Sequence, residues 1–120
     1  MRGVYAMSRE EFEQAVDDAL AELPADFADL LTNTAVIVED DPPPDEPDLL
    51  GFYDGVALTE QWGGLESGQL PNVIVIFRNP TLRICDSRED VLEEVYVTVV
   101  HEVAHHFGID DDRLHELGWD

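Results

Sequence analysis

The chain has 120 residues, 44% of them hydrophobic, and sets 28 acidic side chains against 6 basic ones for a formal net charge of -22. That length suits one compact domain over residues 1–120 with a core of its own, and the apolar fraction excludes wholesale disorder despite the charge. So negative a field repels phosphate backbones and anionic lipid surfaces, which excludes nucleic acid and membrane as partners and favours neutral or basic ones.

One cysteine, Cys85, excludes an intramolecular disulfide and reads as a small buried hydrophobe, compatible with a reducing compartment. The opening MRGVYAMSREEF lacks the apolar stretch of a signal peptide, and eighteen apolar residues nowhere run together. The expectation is a soluble, cytoplasmic protein.

Ser8 with Glu11 three residues on forms a capping-box pattern, and Phe12, Val16, Ala19, Leu20 and Leu23 recur at helical spacing as far as Pro24. An amphipathic helix is predicted over 8–23. A second short apolar stretch runs from Phe27 to Leu31, and the β-branched TAVIVE at 34–39 reads as a strand. The run DDPPPDEPD at 40–48 then stops it as a solvated loop. Gly51 and Gly55 are expected to flank a turn ahead of a short strand over Val56–Thr59, and the glycines of 61–71 mark another loop, with Trp62 as its anchor.

NVIVIF at 72–77 is the strongest strand signal, apolar enough for burial on both faces, and Pro80 is expected to close it. Ser87 with Asp90 opens a second helix that runs uninterrupted to Phe107, where Gly108 offers a left-handed stop. Its middle, with Val91, Val95, Val97, Thr98 and Val100, is apolar or β-branched nearly all round, so protein should largely surround it. The tail DDRLHELGWD has the pattern of a last short helix. Together these elements predict an α+β fold: a small sheet of three strands with an N-terminal helix and a long second helix packed on it.

Chemistry concentrates in that second helix, where His101, Glu102 and His105 read H-E-V-A-H. Residues four apart share one helical face, so both imidazoles can reach a single zinc ion, while Glu102 borders the site as a general base rather than a ligand. Histidines near an exposed helix end would also be favoured by the helix dipole alone. A surrounded helix makes the metal the better explanation, because buried imidazoles and a carboxylate need a compensating partner. His106 points about 100° away around the helix and suits a surface or supporting role.

Two histidines hold zinc loosely, so a third protein donor is required. Gly108 can break the helix and let the chain double back, carrying Asp111 toward the ion. His115, Glu116, Asp110 and Asp112 are the alternatives for that position.

The spacing His101, Glu102, His105, Gly108, Asp111 resembles the long zinc-binding motif of metzincin metallopeptidases, with aspartate in place of the usual third histidine, as in snapalysin-type peptidases. Over its whole length the chain looks like the bacterial family of predicted zinc proteases with a minimal metzincin-like domain. That resemblance implies a zincin-type fold, one Zn2+ held by His101, His105 and Asp111, and a peptidase acting on a peptide or protein substrate. It departs from the metzincin pattern in lacking a methionine downstream of the motif, since Met1 and Met7 are the only two. An aspartate ligand makes zinc a weaker Lewis acid, so the expected enzyme is slow. The alternative is a non-catalytic metal-binding or interaction module whose acidic surface docks a basic partner.

Overall fold

The computed structural model describes residues 6–31, 34–54 and 72–118. In chain order these form α1 (Arg9–Leu20), α2 (Ala25–Leu30), β1 (Thr34–Glu39), β2 (Gly51–Asp54), β3 (Asn72–Phe77), α3 (Arg78–Arg83), α4 (Arg88–His106) and α5 (Asp111–Leu117). The strands make a mixed sheet in the order β1-β3-β2, with β1 parallel and β2 antiparallel to the central β3. This is the α+β architecture with three strands that the sequence predicts.

Local signals account for most boundaries. Ser8 and Glu11 complete a reciprocal capping box at the start of α1, at 3.0 and 2.8 Å. The helix ends at Leu20, and residues 21–23 turn out of it toward Pro24. Ser87 caps α4 by accepting from the Asp90 N–H, while the Asp90 carboxylate reaches the N–H of Asp86, one residue before the cap. At the other end Gly108 takes φ +73°, with its N–H on the carbonyl of His105 and the N–H of Ile109 on that of Ala104 at 2.8 Å. Both bonds belong to a Schellman termination, which needs the left-handed glycine.

Two sequence expectations are corrected. Residues 51–54, read as the start of a turn, are strand β2: Phe52 and Tyr53 pair with Val75 and Ile74 of β3. Aromatic residues suit a half-buried pleated surface, and this outweighs the flanking glycines. Pro80 is not what closes β3, which ends at Phe77 where α3 begins; it sits in the first turn of that helix, where its missing N–H would have no helical partner in any case. The strand expected at Val56–Thr59 and the loop with Trp62 lie outside the described residues.

The helices cover one face of the sheet. Phe12, Ala15, Val16 and Ala19 of α1 and Val91, Val95, Val99 and Val103 of α4 meet Ile74 and Ile76 of β3 in the main core, which also takes in Phe27 and Leu114. The opposite face carries a smaller cluster of Val73, Val75 and Phe77, with Phe52 stacked on Phe77 at 5.9 Å. Burial of β3 on both sides is what its unbroken apolar run requires. Among the described residues no helix is long and apolar enough to cross a membrane.

Candidate metal-binding and hydrolytic site

The site grows from the last two turns of α4, where this helix lies against β2. Gly51 makes that approach possible. A Cβ there would stand 2.6 Å from the carbonyl oxygen of Val75 and 2.9 Å from the Thr98 methyl, so no larger residue fits between strand and helix. Glu102 lies one turn beyond Thr98 and is therefore carried to the outer edge of β2.

That edge is open among the described residues. Phe77 donates its N–H to the Leu50 carbonyl, so in the antiparallel alternation Phe52 also bonds inward, while the backbone groups of Gly51 and Tyr53 face away from β3. A backbone hydrogen bond from Tyr53 reaches the Glu102 carboxylate. Burial pushes the Glu102 carboxyl above its ordinary range, against the opposing pull of His105, the Tyr53 N–H and His101. A carboxyl raised by desolvation yet flanked by donors is placed to take up and return a proton.

His101 and His105 lie on the same face, with ring centroids 6.1 Å apart and planes within 23° of each other. His101 and Glu102 are half-buried and His105 is exposed. In chemical type and placement the two imidazoles fit zinc, which takes neutral imidazole readily and needs its donors to converge. Convergence of a third donor is not seen: among the described residues no three His, Cys, Asp or Glu side chains come together to hold an ion. Asp111 is the exposed first residue of α5. Asp110 caps that helix by accepting from the Arg113 N–H at 2.9 Å, and Glu116 is paired with Arg113 at 3.1 Å.

His106 faces away from the imidazole pair and stacks on Tyr53, with centroids 4.1 Å apart and planes at 24°, while Phe107 meets it edge-on at 5.2 Å. It thus braces the strand residue that bonds Glu102, a supporting place in keeping with its direction around the helix. Tyr53 and Gly51 are the site residues that sequence reasoning misses. The alternation in GFYD, with aromatic residues inside a short glycine-flanked run, was the available signal.

A family model for zincin-like metallopeptidases matches residues 31–119, which includes the sheet, α4 and α5. The chain belongs to the zincin-like metallopeptidase family. Among solved structures it resembles a conserved hypothetical protein from Thermo thermophilus, at 24% identity and a TM-score of 0.53 over 84% of this chain and 94% of that one. That likeness speaks for the fold alone. Comparison with curated proteins finds no match.

Proposed function

We propose that the protein is a zinc-dependent metallopeptidase of metzincin-like type, in which His101, His105 and Asp111 hold the ion and Glu102 is the general base. The observation that carries the reading is the position of Glu102: a partly desolvated carboxylate between two histidines, tied to an open strand edge. Zinc, when bound, would acidify a water molecule and polarise the scissile carbonyl. Glu102 would accept the proton of the attacking water and return it to the departing amine. The outward backbone groups of Gly51 would pair with an extended peptide, adding a strand to β2, and the ring of His106 under Tyr53 would keep that edge in register with Glu102.

Glu102→Gln tests the reading because it preserves side-chain size and leaves both histidines in place. The variant is expected to retain about one zinc per chain by elemental analysis while peptide hydrolysis falls at least about 100-fold. Unchanged cleavage would remove Glu102 from the chemistry. The second reading, a metal-binding or interaction module without turnover, draws on the lack of three convergent donors among the described residues. Bound zinc with no cleavage of any peptide by the wild-type chain would favour it.

A further inference from the structure

Beside Glu102 and His101 a groove of about 250 Å³ runs back along α4 toward Glu94, walled on one side by α4 and on the other by the segment that leads into β2. Its walls are apolar, with Leu49, Leu50 and Val97. Val97 is 39% exposed, an uncovered hydrophobe on a helix whose other valines are buried. The far end is acidic, with Glu94 and Asp48. Asp48 is 96% exposed at its side chain and stands 3.7 Å from Arg83, which leaves Glu94 as the principal anion.

We propose that this groove receives a lysine or arginine side chain of the substrate, next to the bond being cleaved, with Val97, Leu49 and Leu50 against its methylene stem and Glu94 pairing its cationic head. The proposal rests on the peptidase reading and names the residue class that site selects. Glu94 and Glu102 are eight residues apart on one helix, about 12 Å along the axis. A lysine or arginine reaches about 6–7 Å from its Cα, and a charge-assisted hydrogen bond of about 3 Å brings the span to about 9–10 Å, so its Cα would sit about 2–3 Å from Glu102 along the groove, toward Glu94. A leucine would leave the acidic end unreached, and a glutamate would meet like charge. Long basic side chains suit such a surface, since their stems bury against apolar walls while the head stays polar.

Charge elsewhere points the same way. Every described arginine already engages a carboxylate: Arg9 with Glu13 and Asp40, Arg78 with Asp40, Arg83 with Asp48, Arg88 with Asp18, and Arg113 with Glu116. No described basic side chain is paired with Glu94.

The test uses the full chain carrying Glu102→Gln, so that binding is read without turnover, and fluorescent peptides that differ at one position only, Lys, Arg, Leu or Glu. Lysine and arginine peptides are expected to bind about fivefold more tightly than the leucine peptide, the size of one partly solvated ion pair. Adding Glu94→Gln should bring that ratio close to one, and Glu94→Arg should turn the preference toward the glutamate peptide, with far-ultraviolet circular dichroism confirming the helix in each. A lysine-to-leucine ratio untouched by Glu94→Gln would overturn the proposal. Cleavage sites mapped by mass spectrometry on the wild-type chain separate the two readings. Cleavage without basic preference removes the groove and leaves the peptidase, whereas Glu94-dependent binding without any cleavage keeps the groove and removes hydrolysis.

Discussion

Substituting Gly51 by alanine tests the contact on which the site is built. The new methyl would lie 2.6 Å from the Val75 carbonyl oxygen, a backbone atom that cannot rotate away, and 2.9 Å from Thr98 Cγ2. Relief requires β2 to move by about half an ångström or more from both β3 and α4, since carbon contacts become comfortable only near about 3.5 Å. Overpacking of this kind costs about 2 kcal/mol, which in a domain of this size lowers the melting temperature by roughly 6–12 °C. The assay is thermal unfolding followed by circular dichroism, with Thr98→Ser and the double variant completing a cycle. Serine lacks the methyl but leaves the Val75 carbonyl in place, so the double variant should recover only part of the loss. The same displacement draws Tyr53 from Glu102 while leaving both histidines on α4, so hydrolysis should fall further than zinc content. An alanine variant melting within about 2 °C of the wild type would refute the close approach, and with it the account of how Glu102 is presented to the strand edge.

If Asp111 is the proposed third donor, Asp111→Ala is expected to leave the fold intact and to let a milder chelator strip the zinc, because a donor and its negative charge would be lost; full retention under graded chelator would move the third donor to His115, Glu116 or a neighbouring aspartate. Cys85 is buried, and burial, with smaller contributions from Glu94, Asp90 and Asp86, pushes its thiol up to about 11. Little thiolate forms below that value. At pH 8 an alkylating reagent should therefore label the chain only once it is denatured, and rapid labelling of the folded protein would contradict the burial.

Helix α4 was legible in the sequence almost residue for residue because each of its controls is local: Ser87 and Asp90 at one end, Gly108 at the other, and valines between. β3 was legible for a related reason, since burial on both faces leaves an apolar run that no surface strand would show. β2 was not. Three residues between two glycines carry too little periodicity, and what makes GFYD a strand is a partner some twenty residues downstream together with a helix close enough to forbid a side chain at position 51. The site divides along the same line. His101, Glu102 and His105 are read from one turn of helix, whereas the Tyr53 bond to Glu102 and the groove ending at Glu94 exist only once the sheet edge and α4 meet.

Asp111, the proposed third donor, shows how far motif spacing reaches. Spacing treats Gly108 as a hinge that serves Asp111, and the chain does reverse there. The same glycine also completes the Schellman bonds that aim Ile109 at the core, and α5 starts two residues later with Leu114 only 1% exposed. Burying that leucine contributes about 1.5–3 kcal/mol, so the path of the chain after Gly108 is set by hydrophobic anchoring as well as by any ion. Asp111 is held at the head of α5 by this anchor, one turn ahead of it. Its route to the imidazole pair, on the proposed reading, therefore lies in its own side-chain torsions and in the Gly108–Asp110 segment, with Leu114 remaining seated. On that reading, so short a hinge ahead of so firm an anchor bounds how far Asp111 can stand from His105, which gives a physical reason for a set spacing between the second histidine and the proposed third ligand.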